Sequence, residues 1–160
     1  MKRVGNKMKK LLLTASLLML ATQASAWVSK DFVPNKLGEI RVTINDNAQD
    51  GCWTNIGEVK RYAKDKLELL GYDVSNDLSF TYLNQNDFDF FVNVLSARNQ
   101  GTCYGVITLA MARKVDNANI RGEFTAAGGS FAFLRGDNVN QYLLEVLGDF
   151  FDEMKNPQFE

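Results

Sequence analysis

The stretch DFDFFVNVLSARNQGTCYGVITLAMARKV, residues 87–115, decides the fold of this chain. It contains two β-rich runs, 87–98 and 103–115, and the tight-turn signal Asn99-Gln100-Gly101 lies between them. One side of the first run is wholly apolar: Phe88, Phe90, Val92 and Val94. This pattern predicts an antiparallel β-hairpin with one side turned towards a core.

Further strands are predicted on both sides of this hairpin. Downstream, a turn at 116–119 leads into a strand over 120–134, where Gly128-Gly129 predicts a bulge or sharp bend. Upstream, 78–83 is a short strand candidate, and the alternation within 39–44 predicts a half-buried strand. Residues 45–51 (NDNAQDG) are rich in turn formers and predict a polar loop.

Two amphipathic helices complete the pattern. The first is predicted to be capped by Asn55, with Glu58 as reciprocal partner, and to end at Gly71. The second is predicted to be capped by Asn138, with Gln141 in the capping-box position, and to end before Asn156-Pro157. We therefore expect an α+β two-layer sandwich. An antiparallel sheet of four to five strands would carry both helices on one face, in the order β-α-β-β-β-α.

The N-terminus predicts export. Residues 1–26 combine a basic start, an apolar run over 11–21 that is too short to span a bilayer, and the small residues Ala24-Ser25-Ala26. We interpret them as a cleavable signal peptide with the cut before Trp27, which leaves residues 27–160 as a single α+β domain. The mature chain is expected to carry no membrane anchor and to reside in the periplasm or outside the cell.

Charge and cysteines narrow the class of protein further. The mature chain has 13 basic and 19 acidic residues, a net charge of −6, which argues against nucleic acid as a partner. Its two cysteines, Cys52 and Cys103, are expected to form a disulfide in an oxidising compartment. Two independent buried thiols are the alternative.

The chain contains no histidine, which excludes Ser–His and Cys–His catalysis and histidine metal ligation. Pairing of the cysteines would also remove the strong nucleophiles. Asp87 and Asp89 could act together as carboxylates, although solvated charges at a strand entry are the simpler interpretation. We expect no catalytic residues, no metal site and no cofactor.

Aromatic residues are abundant in the predicted strands, more than one sheet face requires. Five residues are candidates for the face without helices and for a partner surface: Phe91, Leu95, Tyr104, Val106 and Phe131. In the alternative interpretation, the N-terminal segment with Trp27 and Phe32 covers them.

The order strand, helix, strands, helix, with Leu70-Gly71-Tyr72 at the end of the first helix, resembles small envelope domains such as the TolB N-terminal domain. The likeness concerns topology, and folds of this kind host unrelated functions. It therefore implies no residue roles.

Together these features predict a non-enzymatic binding or accessory module of the bacterial cell envelope, whose partner is another envelope or exported protein. The alternative is a proteinaceous inhibitor of an exported hydrolase, for which an acidic protein would suit a basic target. Its best candidate contact is the loop 45–51 beside Cys52. An enzyme or ligand carrier that uses Asp87 and Asp89 is a third, weaker hypothesis.

Overall fold

A computed structural model describes residues 27–28, 33–75, 87–116 and 121–155. The elements follow in the order β1 (Trp27–Val28), a 3-10 turn (Pro34–Lys36), β2 (Ile40–Ala48), α1 (Ile56–Leu69), β3 (Phe88–Asn99), β4 (Thr102–Asp116), β5 (Arg121–Arg135) and α2 (Asn140–Lys155). The predicted signal peptide and the strand candidate 78–83 lie outside the described residues. None of the described helices is long and apolar enough to cross a membrane.

The strands form one sheet in the order β1-β5-β4-β3-β2. Strands β3, β4 and β5 pair antiparallel through successive connections, which confirms the predicted hairpin and meander. Strand β2 instead pairs parallel with β3, from Ile40 opposite Phe88 to Ala48 opposite Ser96. The predicted α+β class is confirmed, but the sheet is mixed rather than antiparallel, because the connection through α1 returns the chain in the same direction.

The turn signals lie where the sequence places them. Gln100 and Gly101 have φ values of 48° and 81°, so Asn99 and Thr102 are joined by a two-residue turn that needs two positive φ angles. Gly71 has a φ of 89° and ends α1: its N–H bonds to the Glu68 carbonyl, and the Tyr72 N–H bonds to the Leu67 carbonyl. This is a Schellman motif, the predicted role of the glycine.

Two predictions about strand irregularity are wrong. The bulge does not lie at Gly128-Gly129, because the β4–β5 register shifts between Met111 and Ala112 and leaves Ala126 as the extra residue of β5. The predicted loop 45–51 is shorter than expected, since residues 45–48 continue β2 and pair with β3. Pairing with a neighbouring strand supplies backbone hydrogen bonds that turn propensity alone does not register.

The helix caps differ in detail from the expected capping boxes. The Asn55 side chain makes no cap hydrogen bond to the backbone; its Nδ2 donates to Glu58, and its Oδ1 accepts from the Trp53 indole N–H, both at 2.9 Å. Asn138 does accept the backbone N–H of Asn140 at 3.1 Å, at the start of α2. Gln141 donates to Glu145 within the helix rather than back to the cap.

Both helices contribute buried residues to one core against the sheet. Val59, Ala63 and Leu67 of α1 and six residues of α2 are buried there. Phe90 at the centre of β3 contacts Phe150 and Phe151, with ring centroids 5.6 and 5.3 Å apart. Because the buried residues of β3 and β4 alternate, every second side chain of the sheet points away from the helices.

Candidate functional site: the open face of the sheet

The open face is the side of the sheet opposite the helices, and its side chains form five rows across the strands. Strand registers place these residues together: Arg41, Asp89, Ala112 and Thr125 in the first row; Thr43, Phe91, Ala110 and Gly128 in the second; Asn45, Asn93, Thr108 and Ser130 in the third; Asn47, Leu95, Val106 and Ala132 in the fourth; Ala97, Tyr104 and Leu134 in the fifth. The character of the rows changes from a buried ion pair to an exposed apolar cluster.

The first row is held by an ion pair. The Arg41 guanidinium donates from Nε and Nη2 to the two oxygens of Asp89, at 2.5 and 2.9 Å, and the Thr43 hydroxyl donates to the same carboxylate at 3.2 Å. Asp89 is 1% exposed, and Ala112 beside it is fully buried. This end of the open face is therefore closed and electrically neutral.

The third row is a polar band across the sheet. The Asn45 amide donates to the side-chain oxygen of Asn93, and the hydroxyls of Thr108 and Ser130 are hydrogen-bonded to each other at 3.3 Å. These side chains satisfy one another in pairs while remaining near solvent. The band separates the buried first two rows from the apolar rows beyond it.

The fourth and fifth rows form an exposed apolar cluster, which we call the apolar end. Its largest members are Leu95, Tyr104 and Leu134, which are 61%, 46% and 72% exposed. Val106 lies directly opposite Leu95, and Leu134 lies directly opposite Tyr104. Large apolar side chains that are neighbours and exposed are typical of surfaces that bind a partner.

Charge is almost absent from the open face. Among the residues of the five rows, only Arg41 and Asp89 are charged, and they neutralise each other. The chain as a whole is 23% charged, so this composition is not typical of its surface. Depletion of charge together with aromatic and leucine side chains is the composition of an interface core.

Four of the five predicted partner-surface residues lie on the open face: Phe91, Leu95, Tyr104 and Val106. Phe131 does not, because it pairs with the buried Ile107 and packs against the core on the helix side. Leu134 was missed, although the alternation Ser130, Ala132, Leu134 against Phe131 and Phe133 could have revealed it. The face on which each set lies depends on the register with β4, which the sequence does not give.

The interpretation that Trp27 and Phe32 cover this surface remains a separate matter. Trp27 belongs to β1, and its backbone pairs with Gly128 at the edge of the sheet. Phe32 lies outside the described residues. Leu95, Tyr104 and Leu134 keep their exposure at the opposite end of the open face.

The loops beside the apolar end are tied together. Cys52 and Cys103 form a disulfide with a Cα–Cα distance of 5.6 Å, which confirms the predicted pairing and joins the loop before α1 to β4. The Cys52 carbonyl accepts the Val139 N–H at 2.8 Å, so the loop before α2 is held there as well. Asn140 bonds in both directions with Thr54, which joins the starts of the two helices.

Arg98 reinforces the same region. Its guanidinium donates to the backbone carbonyls of Asp50, Gly101 and Asp137, at 3.1, 3.0 and 2.9 Å. These carbonyls belong to three different loops: β2–α1, β3–β4 and β5–α2. One side chain thus fixes the loops that border the apolar end, and a fixed border lowers the entropy lost on binding.

The other titratable groups of interest have structural partners. Asp87 is buried and accepts the Glu39 backbone N–H at 3.0 Å, so it does not share a site with Asp89. Burial raises the pKa of Tyr72 to about 12. Partial burial, with a smaller contribution from Asp149, raises the pKa of Glu153. In the described ranges, no three His, Cys, Asp or Glu side chains come together as a metal site.

Comparison with known proteins gives little beyond the fold. No protein-family model matches the sequence, and no curated protein matches it. Among solved structures, the chain is similar to the dodecamer of a PelC variant from Paraburkholderia phytofirmans, with a TM-score of 0.46 and 8% identity. The match covers 84% of this chain and 98% of that chain. At this identity and score, the similarity assigns neither a family nor a function.

Proposed function

We propose that the protein is an exported, non-enzymatic binding or accessory module of the bacterial cell envelope, which binds a partner protein through the apolar end of its open face. The observation that carries the proposal is the exposure of Leu95, Tyr104 and Leu134 side by side on a face with no unpaired charge. The Cys52–Cys103 disulfide supports the exported location, because such bonds persist in oxidising compartments.

The partner surface that suits this site is flat or convex, largely apolar and without net charge. Val106 and Ala132 lie between the three large side chains, so a partner can approach the centre of the cluster. The polar band of Asn45, Asn93, Thr108 and Ser130 borders it and offers amides and hydroxyls for rim hydrogen bonds. An apolar centre with a polar rim is the usual anatomy of a protein interface.

The proposal is tested by photo-crosslinking in living cells. A photoreactive amino acid replaces Tyr104 or, separately, Leu95; the control replaces Leu69, a leucine of α1 that is 85% exposed and lies outside the open face. We expect a discrete crosslinked product from both sheet positions and none from the control. Absence of a product at Tyr104 and Leu95, or the same product at Leu69, would overturn the proposal.

A second candidate function is inhibition of an exported hydrolase, and the β2–α1 turn favours it. Gln49, Asp50 and Gly51 are exposed, and Asp50 and Gly51 have φ values of 55° and 68°. Arg98 holds the Asp50 carbonyl, and the disulfide follows at Cys52, so the turn is rigid. Inhibition of an exported lysozyme or protease that Asp50→Lys abolishes would support this function, and no inhibition across a panel of such enzymes would exclude it.

A further inference from the structure

The outer edge of β5 is paired over only a short length within the described residues. Strand β1 contributes two pairs there, Trp27 with Gly128 and Val28 with Ala127. Over Gly129–Arg135, no described strand pairs with the side of β5 that faces away from β4. An unpaired edge presents a row of backbone N–H and C=O groups that can template pairing with another chain.

The side chains of this edge do not block such pairing. Its sequence, GSFAFLR, contains no proline and one charge, Arg135. The Arg135 guanidinium lies over the Tyr142 ring, 4.2 Å from its centroid, and so is directed towards α2. Proteins commonly protect edges with charges, prolines or bulges, and the bulge of β5 lies upstream at Ala126. The stretch Gly129–Arg135 is therefore a suitable pairing surface.

The predicted cleavage site determines whether this edge is available. The antiparallel register of β1 means that residues upstream of Trp27 would lie opposite Gly129 and the residues after it. A cut before Trp27 removes them and makes the first residue of β1 the N-terminus of the mature chain. Processing of the signal peptide would thus leave the edge free for another strand.

We propose that a second copy of the mature chain pairs antiparallel along Gly129–Arg135 and joins the two sheets into one. The midpoint of these seven residues is Ala132, so the register that uses their full length places Ala132 opposite Ala132 of the second copy. Phe131 then lies opposite Phe133, and Ser130 opposite Leu134, each on the face it already occupies. Arg135 lies opposite Gly129, so no like charges meet although each mature chain carries a net charge of −6.

This inference goes beyond the proposed partner surface and rests on cleavage before Trp27. It is tested on chain exported and processed by a bacterial host, whose intact mass gives its N-terminus. Ala132→Cys is expected to form an intermolecular disulfide under mild oxidation, because opposite Cα atoms in an antiparallel pair are about 4.5–5.5 Å apart. Ser130→Cys is the matched control: in this register the two positions 130 are about 13 Å apart and do not crosslink.

The register has its own test, the double variant Ser130→Cys/Leu134→Cys, which should crosslink where Ser130→Cys alone does not. The unmodified mature chain should sediment as a dimer, and Ala132→Lys, which brings two like charges together at the twofold axis, should convert it to monomer. A monomer at high micromolar concentration, equal crosslinking at 130 and 132, or a mass that retains residues upstream of Trp27 would overturn the inference. The crosslinks from Leu95 and Tyr104 report on the proposed partner independently.

Discussion

Asp89 accepts two hydrogen bonds from the guanidinium of Arg41 across the parallel pair β2–β3, and it is 1% exposed. We predict that Asp89→Asn lowers the free energy of unfolding by about 3 kcal/mol, because it leaves a largely buried guanidinium without its counter-charge. Urea unfolding measures the loss. The double variant Arg41→Met/Asp89→Leu should lose less than the sum of the two single variants, and additive losses would contradict the account.

The Cys52–Cys103 bond spans 51 positions of sequence and joins the loop before α1 to β4. Replacing both residues with alanine is expected to reduce the stability by about 4 kcal/mol, since the unfolded chain gains the entropy that the closed loop denies it. Denaturant unfolding of this variant and of the native chain with and without reductant gives the value. An unchanged midpoint would show that the bond contributes nothing to stability.

Arg98 holds three loops through the carbonyls of Asp50, Gly101 and Asp137. Arg98→Met is expected to destabilise the fold by about 2 kcal/mol and to speed hydrogen exchange in all three loops together. Arg135→Met is the matched control, because Arg135 contacts the Tyr142 ring and should lose at most about 1 kcal/mol. Faster exchange in one loop only would contradict the linking role.

Tyr72 makes stability fall at high pH. Its folded pKa is raised by burial to about 12, above the ordinary value of 10.0, so the stabilisation is complete below pH 10 and is lost as pH rises towards 12. The loss over this range should approach about 2 kcal/mol. Unfolding measured between pH 9 and pH 12 should show a shallower fall for Tyr72→Phe, and identical profiles for the two proteins would contradict the assignment.

The parts of the fold that the sequence predicts are those with local signals. Gly71 and the pair Gln100-Gly101 need positive φ angles, so the end of α1 and the β3–β4 turn follow from a few neighbouring residues. The parallel pairing of β2 with β3 is not local, because Arg41 and Asp89 are 48 positions apart. Pairings at such separations depend on how whole strands align, which propensity does not encode.

The candidate site shows the same division. Leu95, Tyr104 and Val106 were predicted because alternation in β3 and β4 separates two sides of each strand. Phe131 was assigned to the wrong face, and the bulge was placed at Gly128-Gly129 rather than at Ala126. An extra residue in a strand reverses the side on which later side chains lie, so an error in its position changes the predicted surface.

The central claim is that the apolar end binds the partner, and the most direct test is the affinity for the protein crosslinked at Tyr104. Calorimetry compares Leu95→Asp and Leu134→Asp with Leu69→Asp, which adds the same charge to an exposed leucine of α1. We predict that each sheet variant weakens binding at least about tenfold, or about 1.4 kcal/mol, while Leu69→Asp leaves the Kd unchanged. Equal affinities for all three variants and the native chain would contradict the claim.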